Sequence, residues 1–174
     1  MSSLFSALLG DAFDRLPPRV RAIHAATGSH TYRGVADVDR GDGILSRLLC
    51  MASSLPLAGR DIPITVTIET NGSTEQWRRD FGGHPMQSAL SRADDLLREK
   101  LGVATFRFRL TVERDVLVWR VASVRVLGIS LPSRWFNGVV ACESDAGGRY
   151  RFDVRAELLG VGMLVHYRGW LDVD

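Results

Sequence analysis

Lysine is almost missing from this chain: Lys100 is the only one, and every other basic side chain is arginine. Because the shortage runs from end to end, it reads as a coding bias rather than a phosphate-binding design. What it supplies chemically is planar donor forks that suit buried carboxylates. Cysteine is scarce too. Cys50 and Cys142 stand far apart with no CxxC and no Cys/His ligand spacing, which argues against a disulfide framework or a zinc site and fits a reduced pair. Long apolar runs are missing: the best stretch, GILSRLLCMASSLPLAG, contains Arg47 and breaks at Pro56, too short and too polar to span a bilayer. The first residues lack a positive leader, and Asp11 and Asp14 interrupt them, so no secretory signal is expected and a cytoplasmic location is. A net charge of +2 gives no surplus to draw a nucleic acid or an anionic membrane.

What is present describes an ordinary globular chain. Its 174 residues, 45% apolar and 24% charged, suit a single domain spanning 1–174 that buries about 70% of its unfolded surface. Residues 1–28 read as a helical cover. Phe5, Leu8, Leu9, Ala12, Phe13 and Leu16 recur at helical spacing, with Ser2 or Ser3 as N-cap and Pro17-Pro18 as the stop. Pro18 then opens a second helix, PRVRAIHAA, with Val20, Ile23 and His24 on its apolar side. A third helix is expected over 43–55, apolar around more than half its circumference through Ile44, Leu45, Leu48, Leu49, Met51, Ala52 and Leu55.

Elsewhere in 29–174 the period is two. Tyr32, Gly34, Ala36 and Val38 share one strand face; Ile62, Ile64, Val66 and Ile68 another; and past the NGS turn, Trp77, Arg79 and Phe81 a third. The stretch 86–101 fits either a helix or a hairpin turning at Ala93 to Asp95, and the hairpin agrees better with its surroundings. Phe106, Phe108 and Leu110 alternate with arginines, Val116 to Leu127 runs back as a long strand, and three more strands follow. Many strands joined by tight turns, without βαβ alternation, predict a mainly β (α+β) fold: a curled antiparallel sheet, barrel or half-barrel of about eight to ten strands with two or three short helices.

One local echo supports a placement. YRGVADVD at Tyr32 to Asp39 returns as YRGWLDVD at Tyr167 to Asp174, yet the likeness does not extend further, so it is no repeat. In each copy Tyr and Gly share a face. The first and last strands should therefore be neighbours or near-neighbours at the seam of the sheet, with Gly34 and Gly169 at points of close approach.

Motifs for chemistry are thin. No GxSxG elbow, P-loop or GxGxxG occurs, and DVDRGDG lacks the closing Glu of a calcium loop. His24, His30, His84 and His166 are scattered, so no catalytic residue, metal ligand or cofactor is assigned; an enzyme using His84 or His166 with Arg and Asp is the weakest alternative. The arginines of FRFR and RYRF lie opposite the aromatics, which removes a stacking platform for single-stranded nucleic acid. What remains is the concave face. It either packs solid or leaves an apolar pocket, and the leading expectation is non-enzymatic binding of an apolar small molecule or lipid there, with Trp77, Phe108, Tyr150 and Trp170 as its liners.

The segments LLGDAFDRLPPRVRAIH, YRGVADVDRGDGILSRLLCMASSLPLAGRDIPITVTIE, WRRDFGG and GRYRFDV…YRGWL resemble the bacterial domain of unknown function 4166 family, from about Leu4 to Leu171. That family includes stand-alone forms and forms attached behind a saccharopine-dehydrogenase-like NAD(P)-binding domain. The resemblance implies a stand-alone form here, without a mechanism or site residues. It also implies an alternative function: an accessory module docking on such a redox enzyme through the apolar helix Ile44 to Leu55 or an exposed sheet edge.

Overall fold

Apolar and polar residues alternate along most of the chain beyond Gly28, and the backbone follows that period. The structure is a computed structural model that describes residues 3–52 and 55–173. Eleven strands form: β1 (Gly28–Arg40), β2 (Gly59–Asn71), β3 (Thr74–Phe81), β4 (His84–Ala93), β5 (Leu96–Leu101), β6 (Ala104–Glu113), β7 (Val116–Val126), β8 (Ile129–Leu131), β9 (Gly138–Ala146), β10 (Arg149–Leu158) and β11 (Gly162–Asp172). Ten of them close into an antiparallel barrel running β1 to β7, then β9, β10 and β11, which returns to β1; the short β8 is a spur on β7. Closure pairs β1 with β11, so among the described residues no barrel strand presents a free edge along its whole length, the spur β8 aside. The ambiguous stretch 86–101 is the hairpin β4–β5, turning at Asp94 and Asp95 with Leu90 and Leu97 buried.

Most barrel neighbours are consecutive hairpins. The exception that closes the ring is β1 against β11, joined in antiparallel register with Gly34 opposite Leu171, Ala36 opposite Gly169 and Val38 opposite Tyr167. The echoed stretches thus face each other across the seam. A Cβ on Gly34 would lie 1.8 Å from the Trp170 carbonyl oxygen, and one on Gly169 2.1 Å from the Val35 oxygen and 2.8 Å from the Phe152 ring. Only glycine admits that approach. On the outer side Arg168 reaches across the seam to Asp39 at 3.2 Å.

The helices close one end and border the other. The first predicted helix is divided. Ser3 caps α1 (Leu4–Leu9), and Gly10, at φ 54°, ends it after six residues; a 3-10 turn covers Gly10–Arg15, and α2 (Pro18–Ala25) follows with Pro18 in its first turn. Ser2, the other N-cap considered, lies outside the described residues. Together α1 and α2 plug the barrel: Phe5 and Val20 are fully buried, the Arg19 guanidinium donates to the Val173 carbonyl at 2.5 Å, and the Arg19 backbone N–H donates to Asp145 at 3.3 Å. α3 (Ile44–Ala52), shorter than the predicted 43–55, spans the connection from β1 to β2 at the opposite end. It turns Cys50 and Ser46 inward, the Ser46 hydroxyl donating to the Met163 carbonyl at 3.0 Å, and leaves Ile44 and Met51 exposed. The side chains of Leu45, Leu48, Leu49 and Ala52, part of its predicted apolar face, lie outside the described residues. Among the described residues no helix is long and apolar enough to cross a membrane.

Candidate ligand cavity

A closed ten-stranded ring is wider than inward side chains of ordinary size can fill everywhere. Here the filling stops partway. At the helical end Phe5 stacks on His24 with ring centroids 3.7 Å apart, and both lie beneath Trp119 (5.5 Å from Phe5) and Trp77 (6.0 Å from His24). Above that floor the barrel holds a cavity of about 390 Å³. Its wall is predominantly apolar, running from the buried Trp77, Phe108 and Trp119 up to Val103, Trp135 and Leu159. Those last three are exposed, which places the mouth between the β5–β6 turn, the 3-10 turn Ser133–Phe136 and the β10–β11 turn. The concave face therefore does both things the sequence allowed: it packs solid below and stays open above.

Of the residues expected to line it, Trp77, Phe108 and Tyr150 are on the cavity wall. Trp170 is not. Gly169 and Leu171 take the inward phase of β11, and the Trp170 ring lies on the outside beneath the Arg149 guanidinium, 3.9 Å from it. Of the histidines of the enzyme alternative, His166 meets Asp153 at 2.8 Å and Arg168 at 3.3 Å on the outer wall, away from the cavity, whereas His84 begins β4 in the inward phase of Met86 and Ser88, its buried Nε2 unpartnered among the described residues.

Sequence reasoning placed Arg79 beside Trp77 and His24 on an apolar helix side but passed over the carboxylates inside the barrel. Arg79 and Glu99 face each other across β3 and β5, Nη2 to Oε1 3.6 Å, with side chains only 11% and 12% exposed. Arg79 Nη1 donates to the Ser88 hydroxyl at 3.0 Å, and its guanidinium sits 4.8 Å from the Trp77 ring centroid. Lower down, His24 Nε2 donates to Glu143 Oε2 at 2.5 Å, while His24 Nδ1 is buried without a partner. Trp77 Nε1 donates to Glu75 at 2.8 Å. The phase of each strand carries the signal that would have found them: Glu99 lies between the inward Leu97 and Leu101, and Glu143 two residues after Ala141.

Burial dominates the electrostatics of this interior. It pushes the Tyr167 phenol up to about 12, against the pull of Arg79 and with the help of the Glu99 and Glu143 charges. Tyr150 is raised well above the usual phenol range by burial first, then by the charge of Glu143 and a hydrogen bond to it. Glu75 is raised by burial, opposed by His24 and by the Trp77 hydrogen bond. Both phenols are thus neutral hydroxyls at any physiological pH. The cavity offers one guanidinium, two carboxylates and two hydroxyls within an otherwise greasy wall.

Compared with known proteins, the chain matches over residues 16–171 the family described as Domain of unknown function (DUF4166). No curated protein sequence matches it. Among solved structures it is similar to Caenorhabditis elegans lipid binding protein 8 in its apo form, at 13% identity and a TM-score of 0.40, covering 85% of this chain and 94% of that one. It is also similar to Rv2717c from M. tuberculosis, at 13% identity and a TM-score of 0.45, covering 91% and 99%.

Proposed function

The chain belongs to the DUF4166 family, and from that premise and the geometry above we propose that its barrel is a binding protein for an apolar small molecule or lipid, without catalysis. The observation that carries this reading is the cavity itself: about 390 Å³ inside a closed barrel, walled by aromatic and aliphatic side chains and reaching the surface beside Val103, Trp135 and Leu159. That volume lies within the range of small-molecule sites, and an apolar wall that size is costly to leave wet. In this reading Trp77, Phe108 and Tyr150 contact the ligand, and Trp170 has no part in it. The exposed Val103, Trp135 and Leu159 form an apolar rim through which an apolar molecule enters.

Native mass spectrometry of purified protein, followed by extraction into organic solvent, tests the reading. A co-purifying apolar molecule that leaves on extraction and rebinds in one-to-one ratio is the expected result. Protein that carries nothing and rebinds none of the extracted lipids of its host contradicts it.

A further inference from the structure

The polar groups of the cavity do more than decorate it. We infer that the cavity, granted the ligand-binding reading above, selects an uncharged amphipathic molecule whose head both donates and accepts hydrogen bonds, such as an alcohol or a primary amide, and discriminates against the carboxylate of the same chain.

The argument starts from the charges. Among the described residues Arg79 is the one guanidinium on the wall, and Glu99 already faces it at 3.6 Å. Glu143, the second carboxylate, takes its hydrogen bond from His24. Counting His24 as protonated, the set is neutral at best; counting it as neutral, the set is negative. A ligand carboxylate would therefore add an uncompensated negative charge beside side chains that are only 11% and 12% exposed, a costly arrangement for a buried ion.

Geometry supplies the other half. A separation of 3.6 Å between Arg79 Nη2 and Glu99 Oε1 is too long for a direct hydrogen bond. A hydroxyl placed between them accepts from the guanidinium and donates to the carboxylate, which completes both. Tyr167, also on the cavity wall, adds a donor: its neutral hydroxyl feels the charges of both Arg79 and Glu99. Arg79 is fixed for this role by Ser88 on one side and the Trp77 ring on the other, so the donor is pre-positioned rather than recruited on binding. A head with an acceptor alone satisfies Arg79 and Tyr167 but leaves Glu99 unserved. A carboxylate opposes Glu99 outright.

The test uses displacement of the neutral fluorophore N-phenyl-1-naphthylamine by decanol, decanamide and decanoate at pH 8, in the parent protein, Glu99→Gln and Tyr167→Phe, each checked for native far-ultraviolet circular dichroism. The inference expects decanol and decanamide to displace the probe at concentrations at least about tenfold below decanoate in the parent. Glu99→Gln should shrink that ratio to about threefold or reverse it, because the amide no longer repels a carboxylate and frees Arg79 to pair with it. Tyr167→Phe should weaken decanol about fivefold. Should Glu99→Gln not fold, Tyr167→Phe decides: it must weaken decanol while leaving displacement by decane, which has no head, unchanged, a difference that hydrophobic partition alone does not produce.

Preference of the parent for decanoate overturns the inference, and so does an alcohol-to-acid ratio that Glu99→Gln leaves unmoved, because simple hydrophobic partition would give such a ratio. Either result leaves the ligand-binding reading standing. A parent protein that binds neither the probe nor any of the three amphiphiles overturns both.

Discussion

Tyr167 shows how one buried group reports on the whole interior. Its phenol is held up at about 12, chiefly by burial, whereas an unfolded chain would ionise it near its ordinary value of 10.0. Between those two values the unfolded state binds fewer protons than the native one, so stability falls as pH rises. Below 10.0 the contribution is fully present; it is lost as pH climbs through about 12. Two units correspond to on the order of 3 kcal/mol. Urea denaturation followed from pH 9 to pH 11.5 should show the midpoint dropping along this limb, and Tyr167→Phe should flatten it, leaving a smaller slope from Tyr150. At the same scale Arg79 was legible, since the period of two places it with Trp77 and Phe81. Glu99 was hidden by the ambiguity of 86–101, because a residue has no assignable face until its element is known. His24 and Glu143 are 119 residues apart, and no local pattern announces that pair. Trp170 was expected among the liners, yet its phase, opposite Tyr167 and Gly169, already pointed outward.

Among the elements, the strands were readable because half-buried strands write their period into the sequence, and because tight turns require particular residues. The division of the N-terminal helix was not. Phe5 through Leu16 keep helical spacing, and only the backbone at Gly10 breaks it, a choice made by how the plug must fit the barrel end. The seam was foreseeable from the echo alone. Glycine appears there in both partners because each strand's backbone approaches the other within the space of a methyl group. Gly169→Ala should therefore cost about 1–3 kcal/mol, since its added carbon meets Val35 backbone and the Phe152 ring rather than a flexible side-chain tip. Thermal denaturation of the variant should show a lowered midpoint. An unchanged midpoint would mean that β1 and β11 do not pair in this register.

For the whole molecule the sequence pointed to a curled antiparallel body with a concave apolar face, and left open whether that face is filled. Periodicity tells which side chains point inward, but a cavity depends on how many strands close the ring and on how the inward volumes add up across strands far apart in the chain. Neither is a local property. The helical plug fills one end with Phe5, and the aromatic floor of Trp77 and Trp119 stops there, leaving the space above. That an apolar ligand occupies this space is the central claim, and equilibrium binding of N-phenyl-1-naphthylamine, read by energy transfer from the cavity tryptophans, tests it most directly. Saturable one-to-one binding that disappears in Ala141→Trp, a substitution that fills the cavity from its wall while circular dichroism stays native, is the predicted result. No saturable binding by the parent protein, or equal binding by the filled variant, would contradict it.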